Sequence, residues 1–456
     1  MNDANCLSKN LLRALSFSIA CCVVVLAGTL PQNVWAEDNK TDADEQGAKH
    51  VLYVESNDFS TGKNAVIAYR IDSEDGSLSL LGTFPTRGTG QTNFDVRLGP
   101  DDHDREIILS PDQRLLFAVN AGSNTIAVFR IRRDGRLSHV KGSPFSSHGV
   151  TPVSLGLAGN KLVVLNANNN NIEGVAPDPS PANYTTFRVE EDGRLEHIPG
   201  SIEVAGDSNP VQVAISPDKR VVFGMEFMAV AYRGPQIFPF LPARGSVLET
   251  FTFHEDGSLR KGMGTPFPAP ENSRLIPSDP GTGYFLGLFP HPSKRILYVG
   301  ETITNRLAVY TYDAEGSLNF VTDSPSLGLA TCWITMGKGA RFLYTSDAAS
   351  NQIGVWNIKD PLAPVNIQEV SLRLVGTPPE AIPPAEFATI NFQLSVDPSG
   401  RFLYVTSHAA AHSDYPGGNV VHILQIQPDG TVVEPSFSPV LLPVPGNVHP
   451  TGNAIL

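Results

Sequence analysis

A chain of 456 residues, of which 41% are hydrophobic and 17% charged, can bury a large core. Its formal net charge of -13 argues against nucleic acid or an anionic membrane surface as a partner, because both bind to a basic footprint. Of the four cysteines, Cys6, Cys21 and Cys22 lie near the N-terminus, and Cys332 stands alone in the rest of the chain. We therefore expect neither a disulfide framework nor a cysteine-rich metal site.

The N-terminal segment is typical of a secretory signal. Lys9 and Arg13 precede an apolar stretch from Ala14 to Leu30, and small residues before and at Ala36 suit cleavage by a signal peptidase. An uncleaved membrane anchor is the alternative. It is disfavoured because the stretch is shorter than the roughly 20 residues that a spanning helix needs.

Three regions follow from this interpretation. We expect residues 1–36 to be a cleaved signal peptide and residues 37–48, which are acidic and polar, to be a disordered lead-in. Residues 49–456 would then be the folded part of an exported protein, periplasmic or extracellular and free of the membrane after cleavage.

A repeat of about 59 residues predicts the fold of that part. Its clearest copy runs through residues 110–120 (SPDQRLLFAVN), 126–131 (IAVFRI) and 134–137 (DGRL), which indicates four strands joined by tight turns. The glycine of this last turn recurs at intervals of 59, 58, 64, 59 and 114 residues, at Gly76, Gly135, Gly193, Gly257, Gly316 and Gly430. The last interval spans two units, because Lys359-Asp360-Pro361 replaces one glycine turn. The pattern predicts an all-β, seven-bladed β-propeller.

The two chain ends are predicted to share one blade. The first ordered strand, residues 50–54 (HVLYV), matches the second strand of other units, so blade 1 lacks its innermost strand. Residues 450–456 (PTGNAIL) resemble the segments that open blades 3 and 4. We expect this C-terminal segment to close blade 1 and to remove an open sheet edge.

Insertions are concentrated on one face of the predicted propeller. The turns from the first to the second strand and from the third to the fourth strand stay short. The long connections all belong to the opposite face and lie at residues 86–105, 166–183, 226–246, 266–283, 372–389 and 407–418. Because binding residues concentrate on such loops, we expect function on this long-loop face.

The blade pattern Ser-Pro-Asp-x-Arg-x-Leu-Phe, Ile-x-Val-Phe and Asp-Gly-x-Leu resembles the seven-bladed lactonase family, which includes 6-phosphogluconolactonases and carboxymuconate-cyclase-like proteins. The likeness covers residues 49 to 456. It implies a lactone hydrolase whose His-x-His pair corresponds to His103-Asp104-Arg105, and whose later Asn-Glu signature corresponds to Glu301.

Lactone opening needs a base that activates water and a cation or donor that stabilises the oxyanion. The candidate catalytic residues are His103 as the base, Arg105 as the electrostatic stabiliser and Glu301 as a second base or orienting group. The candidate ligand-binding residues on the same face are His148, Glu226, His408 and His412.

No cofactor is required by this chemistry, but one acidic loop has the composition of a calcium site. Asp101, Asp102 and Asp104 supply clustered carboxylates, which hard cations favour. A solvated acidic loop is the alternative. His408 and His412 have a spacing that zinc sites use, although they fall in a loop between strands.

Two functions remain open from the sequence. One is an exported enzyme that opens a small sugar or carboxylated lactone; the other is a non-catalytic propeller that binds a ligand, polysaccharide or protein partner through its long-loop face. Convergence of His103, Arg105 and Glu301 on one cavity would favour the enzyme.

Overall fold

The protein forms a ring of seven antiparallel β-sheets, which confirms the predicted seven-bladed propeller. The computed structural model describes residues 50–91, 103–168, 181–204, 208–234, 244–376, 389–409 and 417–456. Within these ranges helical structure is limited to short 3-10 turns at Ala121–Ser123, Glu271–Ser273, Pro280–Thr282 and Ala348–Ser350. No helix in the described ranges is long and apolar enough to cross a membrane. The predicted signal peptide and lead-in lie outside the described residues.

Blades 1 to 3 take their strands in chain order, apart from the closing strand of blade 1. Blade 1 contains β1 (Val51–Glu55), β2 (Ala65–Ile71), β3 (Leu78–Pro85) and the closing strand β31 (Asn453–Ile455). Blade 2 contains β4 (Ile107–Leu109), β5 (Leu115–Asn120), β6 (Thr125–Ile131), β7 (Leu137–His139) and β8 (Phe145–Ser146). Blade 3 contains β9 (Pro152–Ala158), β10 (Lys161–Asn166), β11 (Asn183–Val189) and β12 (Leu195–Glu203).

Blades 4 to 7 follow the same order from the innermost to the outermost strand. Blade 4 contains β13 (Pro210–Ile215), β14 (Val221–Ala231), β15 (Arg244–Phe253), β16 (Leu259–Lys261) and β17 (Phe267–Pro268). Blade 5 contains β18 (Phe285–Pro290), β19 (Ile296–Glu301), β20 (Arg306–Tyr312) and β21 (Leu318–Pro325). Blade 6 contains β22 (Thr331–Met336), β23 (Phe342–Asp347), β24 (Gln352–Asn357) and β25 (Val365–Ser371). Blade 7 contains β26 (Thr389–Val396), β27 (Phe402–Ala409), β28 (Val420–Ile426), β29 (Val432–Val433) and β30 (Val440–Leu441).

The core lies between neighbouring blades. Second strands such as β5 and β19 are buried at every position, because each is covered by a blade on both faces, and their sequences are apolar up to a polar last residue. Outer strands such as β21 alternate between half-buried and exposed residues. One apolar layer joins blades 2 and 3 through Phe117, Val128 and Phe187, and similar layers follow around the ring.

A recurring tyrosine links blades through the tight turns that the sequence predicted. Tyr53 of blade 1 donates a hydrogen bond from its hydroxyl to the carbonyl oxygen of Gly135 in blade 2, at 2.7 Å. Tyr404 of blade 7 bonds Gly76 of blade 1 in the same way, at 2.8 Å. Both turn glycines have positive φ, +83° and +79°, which side chains rarely adopt. The turn glycines therefore serve the ring as well as their own hairpins.

The C-terminal strand closes the ring as predicted. β31 pairs antiparallel with β1, in the register Leu52 with Ile455, Tyr53 with Ala454 and Val54 with Asn453. The innermost strand of blade 1 thus comes from the chain end, and the sheet has no open inner edge at this blade.

The seven innermost strands, β31, β4, β9, β13, β18, β22 and β26, surround a central channel. Each begins on the face that carries the long connections and ends on the face with short turns. We call these two sides of the channel the long-loop end and the short-turn end.

Candidate functional site

A segment just before blade 2 enters the central channel. We call His103–Arg105 the crossing segment. The backbone N–H of Asp104 donates to the carbonyl oxygen of Val211 in β13, at 3.3 Å, and the Ser154 hydroxyl of β9 donates to the carbonyl oxygen of Asp104, at 2.6 Å. The segment therefore lies outside the sheet of blade 2, which follows it in the chain, and it bonds the inner strands of blades 3 and 4. It lies level with the first half of those strands, on the long-loop side.

The carboxylate of Asp104 is held by Gln212. The Nε2 group of Gln212 donates to Oδ2 of Asp104, at 2.7 Å, and to the carbonyl oxygen of Leu288 in β18, at 3.1 Å. Oε1 of Gln212 accepts the backbone N–H of Leu288, at 2.6 Å. Gln212 is fully buried, so the amide is fixed at all three contacts. Sequence reasoning missed this residue, because Gln212 occupies an ordinary inward position of a strand.

Arg105 has a positive φ of 68°, which turns the chain out of the crossing segment and into β4. Its carbonyl oxygen accepts the N–H of Leu155, at 3.0 Å, while its half-buried side chain lines a cavity in the channel. Within the described residues, its guanidinium donates no hydrogen bond. The nearby Asp104 carboxyl is its electrostatic partner.

The cavity has a volume of about 340 Å³ and occupies the short-turn end of the channel. Its lining includes the last residues of several inner strands, which places it beyond the crossing segment. This differs from the location on the long-loop face that the sequence led us to expect. The crossing segment, which bonds β9 and β13, lies on the long-loop side of the cavity. The lining residues are Asp104, Arg105, Ile107, Ile108, Leu109, Phe289, Ile334, Thr335, Met336, Gln393, Leu394, Ser395, Val396, Asn453, Ala454 and Ile455.

The electrostatics of the crossing segment suit proton transfer near neutral pH. Burial raises the pKa of Asp104 to about 7, and the neighbouring Arg105 partly opposes this rise. Burial lowers the pKa of Arg105, and the carboxyl of Asp104 opposes that change. A carboxyl whose pKa is near the working pH, beside a cation whose side chain donates no hydrogen bond to any described residue, can act as a general base next to an oxyanion-stabilising group.

Two neighbours of this pair face away from the cavity. His103 is buried and is not among the lining residues. Glu106, which no sequence pattern singles out, is also buried, and burial together with the nearby Asp104 raises its pKa to about 8. Of the crossing segment, only Asp104 and Arg105 reach the cavity.

Glu301 and Glu226 occupy one repeated position, three residues after the aromatic residue of a second strand. In the seven blades this position holds buried polar residues throughout: Ser56, Asn120, Asn166, Glu226, Glu301, Asp347 and Ser407. Their location next to the blade-to-blade connections makes them seam residues, and neither glutamate lines the cavity. The sequence could have shown this, since the position recurs in every blade.

Burial raises the pKa of both glutamates. The pKa of Glu301 rises to about 7. That of Glu226 rises to about 8, through burial and the nearby Glu249. Oε2 of Glu301 accepts a hydrogen bond from the hydroxyl of Thr304, at 3.5 Å, in the turn that follows β19.

The remaining predicted ligand residues also lie away from the cavity lining. His148 is exposed and stacks on His197 of the outermost strand of blade 3, with ring centroids 3.9 Å apart. His408 lies in β27 rather than in a loop, because that strand continues to Ala409, and its buried ring stacks on His449 at 4.4 Å. Burial lowers the pKa of His408 to about 4. His412 lies outside the described residues.

The calcium prediction rests mainly on residues outside the described ranges, since Asp101 and Asp102 both lie there. Asp104 is described, and its carboxylate bonds Gln212 as given above. Among the described residues, no three His, Cys, Asp or Glu side chains are grouped so that they could hold a metal ion. The calcium site and the zinc site at His408 and His412 remain predictions.

Comparison with known proteins agrees with the architecture. Residues 63–185 match the family described as "Lactonase, 7-bladed beta-propeller", and this range contains the crossing segment. No curated protein was found to match the chain.

Three solved structures illustrate the similarity of fold. A candidate 6-phosphogluconolactonase from Bacteroides fragilis has a TM-score of 0.61 and 14% identity, covering 90% of this chain and 98% of its own. Another from Bacteroides uniformis has a TM-score of 0.60 and 13% identity, covering 89% and 99%. A protein from Lactobacillus plantarum has a TM-score of 0.58 and 12% identity, also covering 89% and 99%. At such identities these likenesses concern the fold. The chain folds as a seven-bladed β-propeller and resembles the lactonase family over residues 63–185.

Proposed function

We propose that the protein hydrolyses a small lactone in the central cavity, with Asp104 as general base and Arg105 as oxyanion stabiliser. The observation that carries this proposal is the pair itself. A carboxyl with a pKa of about 7 and a guanidinium that donates no hydrogen bond to any described residue line the same cavity. The lactonase family match over residues 63–185 supports the reaction class.

The reaction needs no further reactant than water. Asp104 takes a proton from water as its oxygen adds to the lactone carbonyl carbon, and Arg105 donates hydrogen bonds to the resulting oxyanion. When the tetrahedral intermediate collapses, the ring C–O bond breaks and Asp104 returns the proton to the departing oxygen. The product is a hydroxy acid. This assignment moves the base from His103, predicted from sequence, to the neighbouring carboxyl.

The cavity suits a small substrate with one polar side. A volume of about 340 Å³ is at the small end of ligand pockets. Gln393, Ser395 and Asn453 supply polar groups at one wall, while Phe289 and Ile334 supply apolar surface. A sugar lactone or a carboxylated lactone fits a cavity with one polar wall and one apolar wall.

We also propose that the protein acts outside the cytoplasm, in the periplasm or beyond the cell. The charged and apolar pattern of residues 1–36 supports export. The mass of the protein purified from its native compartment would show whether the chain starts after Ala36.

Proton release at constant pH, measured over a panel of sugar and carboxylated lactones, tests the reaction. We expect residues 37–456 to exceed the uncatalysed rate, and Asp104→Asn to lose on the order of a hundredfold or more in kcat/KM, because the amide cannot accept the proton. His103→Ala is the matched variant and is expected to retain most of the activity if the fold is intact. A folded wild-type protein without activity across the panel would rule out hydrolysis of those lactones.

A non-catalytic binding protein is the second candidate. The observation that favours it is that Arg105 lines the cavity while His103 and Glu301 do not, so the three predicted catalytic residues do not converge. Such a protein would bind an anion in an Arg105-dependent manner and release no acid from any lactone. Binding without turnover would therefore select this function.

A further inference from the structure

The central cavity communicates with one end of the channel. The first residues of three inner strands, Phe285, Thr331 and Thr389, are buried. The half-buried residues at the ends of the inner strands belong to the cavity lining, and they are Leu109, Phe289, Met336, Val396 and Ile455. Together with the crossing segment on the long-loop side, this exposure gives the cavity its access from the short-turn end.

The turns around that end carry an excess of positive charge. Five turns of five residues each join the innermost to the second strand of blades 2, 4, 5, 6 and 7, at residues 110–114, 216–220, 291–295, 337–341 and 397–401. They hold three aspartates, Asp112, Asp218 and Asp397, against eight cations. These are Arg114, Lys219, Arg220, Lys294, Arg295, Lys338, Arg341 and Arg401, which gives a balance of +5. We call this set the mouth turns.

The outer turns of the same face have the opposite sign. They join the third to the outermost strand and lie at residues 72–77, 132–136, 190–194, 254–258, 313–317, 358–364 and 427–431. They contain thirteen acidic residues and five lysines or arginines, a balance of -8. The positive charge is therefore concentrated around the channel, on a chain whose net charge is -13.

All eight cations of the mouth turns are exposed to solvent. Arg295 is paired with Asp218 at 3.1 Å, and Lys338 donates to the carbonyl oxygen of Pro398 at 3.0 Å. Lys219 and Lys294 form no ion pair within the described residues.

We propose that the short-turn mouth is an entrance for anionic ligands, in which the mouth turns collect the anion and Arg105 receives it inside the cavity. The proposal deepens the proposed function by assigning the access route, and it rests on the same cavity but not on turnover. A ring of like charge around a low-dielectric opening focuses the field and raises the association rate of an opposite charge by about 10- to 1000-fold, less at high salt. An acidic rim outside the ring would direct anions inward.

Citrate is a suitable probe, because it is a small anion that needs no hydrolysis, and its binding is measured by isothermal titration calorimetry. In Lys219→Glu/Lys294→Glu we expect affinity to fall about tenfold at low ionic strength and to approach wild type at high salt, since added ions screen exposed charges. Arg132→Glu/Arg133→Glu makes the same charge change in an outer turn of blade 2 and is expected to change affinity less than twofold. Equal losses in both variants would overturn the role of the mouth turns.

A physical block tests the route independently of charge. Ser293→Cys places a thiol in a mouth turn and Ser73→Cys places one in an outer turn, while the native Cys332 is buried. Labelling with a maleimide-linked polyethylene glycol is expected to prevent citrate binding only at residue 293. Unchanged binding after complete labelling at that position would contradict entry through this mouth.

Two further variants separate this inference from the proposed reaction. Arg105→Gln is expected to abolish citrate binding at any salt concentration. Retained binding would show that Arg105 is not the residue that binds citrate inside the cavity. Asp104→Asn is expected to bind citrate at least as well as wild type, because it removes a negative charge. If Asp104→Asn still hydrolyses lactones while the mouth variants lose citrate, the proposed reaction fails and the entrance stands.

Discussion

Asp104 and Glu301 are both buried acids whose pKa is raised to about 7, but they occupy different kinds of position. Asp104 belongs to an irregular segment outside the blade pattern, bonds inner strands of other blades and faces a cavity. Glu301 ends a second strand and accepts a hydrogen bond from Thr304 in the next turn of its own blade, at a position that is polar in all seven blades. Burial raises the pKa of Asp104 and the pKa of Glu301 to a similar value.

The difference shows how a repeat protein separates stability from chemistry. A polar group that returns in every blade serves what every blade needs, which is the attachment of one blade to the next. A polar group outside the repeat, placed where several blades meet, is available for a ligand. A shifted pKa alone therefore marks burial, and the cavity decides which buried acid can meet a substrate.

Removal of the Arg105 cation should give the largest change. Arg105→Gln is expected to reduce kcat/KM for the best lactone by about 10²- to 10³-fold, because the oxyanion loses its charged donor. Proton release at constant pH measures the effect. Arg133→Gln removes an exposed cation in an outer turn and should leave the rate unchanged. An Arg105→Gln protein of normal activity would exclude Arg105 from the reaction.

The Gln212 contact should set the pH profile of the activity. Asp104 is active as the carboxylate, so kcat/KM should rise with pH through about 7 and then level off. Gln212→Glu keeps the shape of the side chain but replaces the amide donor with oxygen and adds an acid. The ascending limb is expected to move about one pH unit or more upwards, because the ionised Asp104 loses a hydrogen bond and gains a like charge.

Gln393→Glu provides the matched control for that shift. Gln393 lines the same cavity but bonds Asn453 rather than Asp104, so its replacement adds the charge without removing the donor. A smaller shift than in Gln212→Glu is expected. Equal shifts in the two variants would mean that the Gln212 hydrogen bond does not tune Asp104.

The smallest effect on activity, none at all, is expected from Glu301→Gln. The pKa of Glu301 rises from 4.5 to about 7 on folding, so its contribution to stability is fully present below about 4.5 and is lost as the pH rises through about 7. A glutamine at this position does not ionise, so the variant does not lose stability as the pH rises. Between about pH 5 and about pH 8, the free energy of unfolding of the variant should gain on the order of 2 kcal/mol relative to wild type.

Urea unfolding at several pH values, followed by tryptophan fluorescence, measures that difference. Proton release from the best lactone, measured on the same samples, should match wild type. Loss of activity in a stable Glu301→Gln protein would return this glutamate to the catalytic role that its sequence suggested.

The predicted site was less accurate than the predicted fold for reasons that individual residues make clear. Arg105, predicted for the long-loop face, lines a cavity at the other end of the channel, and Asp104 reaches that cavity through the same segment although its sequence context pointed to calcium. His148 and His408 pack on other histidines instead of opening onto the channel. Gln212 carries no sequence signal, because its role depends on Asp104, which is 108 residues away in the chain.

The sequence by itself determined the seven blades, the tight turns and the closure by residues 453–455, because each depends on local turn geometry and strand patterning repeated at a regular spacing. Only the tertiary structure decided at which end of the channel the cavity lies and which residues line it. Those features depend on the path of the crossing segment over the inner strands of blades 3 and 4. Such contacts join residues far apart in the chain, and no local pattern records them.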